Sequence, residues 1–176
     1  MQRLALPFVI AALFLTSAIF AQRQSDAPRE IGEVLLNDGT KSVSMKYSIS
    51  AQRGHKGFSS TKEYFVFGDP KARIRTESKT PTIEFNADAA FNVESGVYIW
   101  RFDNHKDRRE IRVAKGKNKD IHYSIPSDHV IATTLEEVGD GPNGTKRYRM
   151  KPKAPLGPGE YCLARSSDSC FDFGVD

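Results

Sequence analysis

Tyr98, Trp100, Arg108, Arg112, Lys115 and Lys117 are the residues whose types and spacing suit binding chemistry. Gly96 to Phe102 and Arg108 to Val113 flank Asp103-Asn104-His105-Lys106-Asp107, the layout of a hairpin. Two registers are open. A five-residue loop sets Phe102 opposite Arg108, Ile99 opposite Ile111 and Val97 opposite Val113. The aliphatic residues then face a core, and Tyr98, Trp100 and Phe102 share the other face with Arg112, Glu110 and Arg108. That face would be an aromatic platform flanked by arginines, suited to sugars or anionic polymers through stacking and cation–π contact. A register shifted by one sets Trp100 beside Ile111 and turns the aromatics inward, where a large ring on a central sandwich strand belongs. Residues 101–119 carry eight Lys/Arg against three Asp/Glu. Lys115, Lys117 and Lys119 could form an anion-binding tip, or a solvated loop that discourages edge pairing.

Catalytic patterns are absent from the sequence. There is no GxSxG, no HExxH, no glycine-rich phosphate loop and no EF-hand spacing. His55, His105, His122 and His129 form no recognisable ligand set, so no metal and no cofactor is expected. A hydrolase would need His122, Asp128 and His129 to meet a serine through distant loops. Glu136 and Glu137 adjoin a loop, and neighbours on a strand point to opposite faces, which suits paired carboxylates poorly. Asn143-Gly144-Thr145 is a glycosylation sequon with meaning only in a eukaryotic secretory route.

Cys162 and Cys170 are the two cysteines of the chain. With Cys162 directly opposite Cys170 in a C-terminal hairpin, Tyr161 faces Phe171 and Leu163 faces Ser169. Tyr161, Leu163, Phe171, Phe173 and Val175 then share one face, and the cysteines lie on the other with Glu160 and Asp172. A disulfide staple follows, because nothing beside either sulfur would stabilise a reactive thiolate.

The elements that must position these residues read as short strands. Ser42 to Ser50 alternates, with Val43, Met45, Tyr47 and Ile49 pointing one way. Asn37-Asp38-Gly39-Thr40 before it is a tight hairpin turn. Ala51 to Lys62 is polar and glycine-bearing and reads as a loop, as does Glu136 to Gly144. Further strands are expected at Glu33–Leu36, Tyr64–Phe67, Ala72–Thr76, Thr82–Phe85, Gly96–Phe102, Arg108–Ala114, Val130–Leu135, Lys146–Lys151, Gly159–Ala164 and Cys170–Val175. No segment keeps a helical period. The fold class is therefore all-β, a single antiparallel two-layer β-sandwich of immunoglobulin-like type, with a closed barrel as the alternative.

Export comes from the other end of the chain. Leu4 to Ala21 is almost unbroken apolar sequence behind Arg3, followed at once by Gln22-Arg23-Gln24-Ser25. This is a secretory signal cut after Ala21, the alternative being an uncut anchor. No cysteine adjoins the junction, so the product is not a lipoprotein. Residues 22–32 form a flexible lead-in and 33–176 the sandwich. Removing residues 1–21 takes away only Arg3 among the charges, so the 176-residue chain at +4 becomes a 155-residue domain at +3. About a third of that domain is hydrophobic, thin for a helical bundle but workable for a small sheet protein.

The order of Gly96 to Phe102, Asp107 to Val113, Pro155 to Tyr161 and Phe171 to Asp176 resembles exported β-rich proteins of acidobacterial-type soil bacteria. The likeness covers roughly residues 68–176, and its strongest element is Pro158-Gly159-Glu160-Tyr161 followed by the Asp172-Phe173-Gly174-Val175 strand. It implies a small exported β domain and supplies no activity, ligand or catalytic residue. The cysteine pair departs from that pattern. The expected function is a non-enzymatic, periplasmic or secreted module with a structural or binding role at the cell envelope. A carbohydrate- or anionic-polymer-binding module is the alternative. Envelope polysaccharide or another envelope protein is the expected partner, with no nucleic acid and no membrane span once the signal is removed.

Overall fold

A computed structural model describes residues 27–29, 32–56, 60–117, 120–165 and 169–176. The signal segment 1–21 lies outside the described residues. In chain order the first strands are β1 Val34–Asn37, β2 Ser42–Met45, β3 Tyr47–Ile49, β4 Ala51–Lys56, β5 Thr61–Phe67, β6 Arg75–Thr76 and β7 Thr82–Ala87. One helical turn, α1 Val93–Gly96, precedes β8 Tyr98–Arg101, β9 Asp103–Asn104, β10 Arg109–Lys117 and β11 Asp120–Tyr123. After the 3-10 turn Ser127–His129 come β12 Val130–Ile131, β13 Thr133–Asp140, β14 Lys146–Pro152, β15 Gly159–Ala164 and β16 Ser169–Val175.

The strands form the expected all-β sandwich from three sheets, antiparallel throughout except where the short β6 pairs parallel with β16. Sheet I runs β13-β14-β7-β1-β2; sheet II runs β12-β8-β15-β16-β3; sheet III runs β11-β10-β5-β4. Sheet II is the middle layer. Ile99, Tyr161, Leu163, Phe171 and Phe173 point from it into a core shared with Val34, Leu36, Ile83, Phe85 and Met150 of sheet I. The alternate residues Trp100, Cys162, Ala164 and Cys170 pack on Phe65, Phe67, Ile111 and Val113 of sheet III. A strand covered on both faces is buried at both parities, as β15 and β16 are; Glu160 and Asp172 are the buried charged residues among their otherwise small or apolar side chains.

Single strands bend from sheet to sheet. Ser42–Lys56 supplies an edge strand to each sheet in turn, as β2, β3 and β4, with breaks at Lys46 and Ser50. β12 and β13 do the same at the opposite edges of sheets II and I, around Ala132. Sheets I and II are thus joined at both edges, which gives the first core the closed character of a barrel.

Four sequence expectations change here. Ala51 to Lys62 is not all loop: it holds β4, the edge strand of sheet III, whose polar sequence suits an exposed edge, and the start of the interior strand β5. Glu136 to Asp140 continues β13 past a register shift between Glu137 and Gly139. The lysine tip extends β10 to Lys117, paired with β11. The Gly96–Ala114 hairpin takes neither expected register: β8 pairs with β15 and β12 in sheet II, whereas β10 pairs with β5, β11 and β9 in sheet III. Only Asp103–Asn104 meets Arg109–Glu110. The reason lies in Val97-Tyr98-Ile99-Trp100, which is apolar or aromatic at both parities and so belongs in the layer covered twice.

The Cys162–Cys170 disulfide is present, with Cα atoms 5.6 Å apart. Its register differs from the expected one by two residues. Cys162 is opposite Asp172, Tyr161 opposite Phe173, Leu163 opposite Phe171 and Ala164 opposite Cys170. A two-residue shift preserves faces, so the apolar side and the cysteine side hold as expected. The observed register lets Tyr161 stack on Phe173, with ring centroids 5.6 Å apart.

Candidate functional site

The expected hairpin face would have joined aromatics and arginines. The structure puts them on opposite sides of sheet III. Tyr98 and Trp100, two apart on β8, share the face of sheet II that looks toward sheet III, opposite Ala164 and Cys162. Trp100 is buried at 9% exposure, so it is a wall residue and not an open platform. Tyr98 is 40% exposed and donates its hydroxyl to the Ser95 carbonyl at 2.8 Å.

Sheets II and III part at this end and leave a cleft of about 560 Å³. Tyr98, Trp100 and Val130 line one wall, and Phe65, Val113 and Tyr123 the other. Glu63 reaches the same space, since it lies in register with Ala114, which in turn pairs with Tyr123. The Glu63 carboxylate, by its charge first and its hydrogen bond second, pushes the Tyr123 phenol above its ordinary value of 10.0. A second hollow, about 730 Å³, opens between β3 and β5. Arg109 and Asp172 line it and bind each other there, while the buried Arg109 Nε has no hydrogen-bond partner.

The outer face of sheet III holds the basic residues. β10 carries a bulge between Arg112 and Ala114, and Val113 and Ala114 are both buried. This extra residue resets the alternation, so Arg112 and Lys115, three apart, both point outward. Arg112 pairs with Tyr64 and Tyr64 with Arg53. In the next row on that face Lys115 lies between Lys62 and His122. Lys117, one step further, pairs with Asp120. Arg53, Lys115 and Lys117 are exposed, and Lys62, Tyr64 and Arg112 half-buried. None of these five cations enters an ion pair among the described residues, and the nearest acid in the pattern, Asp120, sits 3.4 Å from His122.

Arg108 stands apart from this row. Its Nε donates to Glu110 at 2.8 Å and its Nη1 lies 3.0 Å from Asp107. Glu110 also lies 3.1 Å from the His105 ring. The Glu110 hydrogen bond is the largest cause that raises the Arg108 pKa, so this guanidinium is already engaged.

The residues of the catalytic alternative do not assemble. His122 touches Asp120 on the outer face. The Nδ1 of His129 lies 2.8 Å from the Arg101 carbonyl, and its Nε2 is 3.8 Å from Asp103 and 3.9 Å from Asp128. Neither ring is hydrogen-bonded to a serine among the described residues. No group of three His, Cys, Asp or Glu side chains could hold a metal among them either.

Sequence reading missed Arg53, Lys62, Glu63, Tyr64 and Tyr123. The period-two spacing of Lys62 and Tyr64 was a usable signal, hidden by the polar segment around it. The molecule is thus an antiparallel all-β sandwich with a charged outer sheet face and an aromatic cleft behind it. No helix among the described residues is long and apolar enough to cross a membrane. No protein-family model, curated protein or solved structure matches the chain.

Proposed function

We propose that the protein is an exported, non-enzymatic binding module of the cell envelope that takes acidic polysaccharide on the outer face of sheet III. The observation that carries this reading is the register of Lys62 directly opposite Lys115. Like charges in that position destabilise a sheet by roughly 0.2–1 kcal/mol. An anionic chain laid across the strands relieves that repulsion. Strands about 4.8 Å apart offer it an evenly spaced row of cations. Arg53 and Arg112 flank the Tyr64 ring one row away and extend the same field.

A polysaccharide fits better than a lipid surface. Stable membrane attachment combines basic charge with an inserted apolar group. Tyr64, the aromatic member of the two rows, is half-buried. Export is supported by the apolar run ending at Ala21 and by the Cys162–Cys170 bond, which persists in oxidising compartments.

The test is retention on immobilised polygalacturonate against neutral dextran, with phosphatidylserine vesicles as a separate arm. The wild type is expected to bind polygalacturonate, weaken as salt rises, and ignore dextran. The triple variant K62E/R112E/K115E is expected to lose at least tenfold in affinity. Unchanged binding by that variant, or a preference for vesicles over polygalacturonate, would overturn the proposal.

A further inference from the structure

The cleft between sheets II and III has a chemistry opposite to that of the face behind it. Its walls are rings: Trp100 at the back, Tyr98 at 40% and Tyr123 at 72% exposure toward the mouth. Tyr98 and Tyr123 thus leave two rings open to solvent in the same cleft as the buried Trp100. Glu63 supplies a carboxylate to the same space. It forms no ion pair with a lysine or arginine among the described residues, and the Tyr123 phenol beside it is neutral. Arg165 borders the cleft, but its guanidinium carbon lies 5.8 Å from the centre of the Phe85 ring, in the core between sheets I and II.

Aromatic faces carry negative quadrupoles, and a weakly hydrated cation set among them gains roughly 2 kcal/mol or more once desolvated. An uncompensated carboxylate adds a full negative charge in the same place. The remaining polar lining, Gln52, Ser95 and Ser124, is neutral. We infer that this cleft binds a small organic cation of the quaternary-ammonium or alkylated-amine class, with Tyr98, Trp100 and Tyr123 as the cage and Glu63 as the counter-charge. The about 560 Å³ of space holds such a head group with a short apolar substituent. A metal cation is disfavoured, since one carboxylate is far short of a hard-ion coordination shell.

Trp100 is the sole tryptophan, so its fluorescence reports on this cleft directly. The experiment titrates the full protein with choline and, separately, with 3,3-dimethylbutan-1-ol, its uncharged isostere. Choline is expected to give a saturable change at least tenfold tighter than the isostere. Glu63→Gln keeps the size of the side chain and is expected to raise the choline Kd at least tenfold. Tyr123→Ala removes an exposed ring without touching the core and is expected to weaken choline severalfold. Equal binding of choline and its isostere, unchanged binding by Glu63→Gln, or no saturable response to choline would overturn the assignment. Circular dichroism of each variant separates loss of binding from loss of fold.

Discussion

Arg109 Nη2 donates to Asp172 Oδ2 at 2.5 Å, a buried ion pair that ties sheet III to sheet II. The guanidinium carbon also lies 5.3 Å from the Phe67 ring centre and 5.8 Å from that of Phe102. Ser48 donates to the other Asp172 oxygen at 2.6 Å. Removing either charge leaves its partner buried and unpaired, which costs roughly 3–5 kcal/mol. Arg109→Ala and Asp172→Ala are each expected to destabilise by that amount in urea denaturation. The double variant Arg109→Met with Asp172→Leu is expected to recover most of the loss. Single variants within about 1 kcal/mol of wild type would mean that the pair does not hold the two sheets together.

The disulfide closes a short loop, since its cysteines are eight positions apart. A loop of that length contributes roughly 2–3 kcal/mol by restricting the unfolded chain. Reduced protein is therefore expected to denature at a lower urea concentration than oxidised protein, with a Cys162→Ala, Cys170→Ala double variant indifferent to reductant. Mass spectrometry of exported protein should show both sulfurs oxidised.

The turn between β1 and β2 is expected to be sensitive to acid. The Asp38 carboxylate accepts hydrogen bonds from the Thr40 hydroxyl at 2.7 Å and from the Thr40 and Lys41 amides, each at 2.9 Å. The Thr40 hydroxyl is the largest cause holding its pKa at about 2, below the ordinary 3.8. Because the folded value is depressed, the stabilisation is complete above pH 3.8 and lost as pH falls toward 2. Asp38→Asn cannot titrate. Wild type should thus lose stability more steeply than Asp38→Asn across that window, as read from thermal midpoints at successive pH values.

Gly116 is required by the close pairing of β10 with β11. A Cβ there would lie 2.2 Å from the Asp120 carbonyl oxygen and 2.6 Å from the Ile121 Cα. Both are backbone atoms and cannot rotate aside. Gly116→Ala is expected to destabilise by about 1–3 kcal/mol in thermal denaturation. Hydrogen exchange should localise the loosening to β11, which carries His122 and Tyr123. Exchange unchanged in β11 would show that the strand shifts without strain.

Much of the architecture was legible from local pattern. The alternation of Gly159 to Ala164 and of Cys170 to Val175 told which residues share a face, and Asn37-Asp38-Gly39-Thr40 marked the β1–β2 turn. These features depend on period two and on turn chemistry, which act over a few residues. The register of the cysteine hairpin was not legible, because a two-residue slip preserves every face and only the stacking of Tyr161 on Phe173 and the pairing partners choose between the two.

The residues suited to binding show the same division. That residues 101–119 concentrate basic charge, and that Tyr98 and Trp100 lie on one side of a strand, follows from composition and parity alone. Which sheet each strand joins does not. Val97 to Trp100 could pair locally with β10, yet its two apolar faces are both satisfied only in the middle layer. The bulge at Val113 could not be read from type, since it depends on the fit of β10 against β5. Together these long-range choices sent the aromatics into a cleft with Glu63 and the cations to the far face with Lys62. Composition and alternation are properties of the chain, whereas the separation of the two sites arises from non-local strand pairing, where burial on both faces outweighs nearness in sequence.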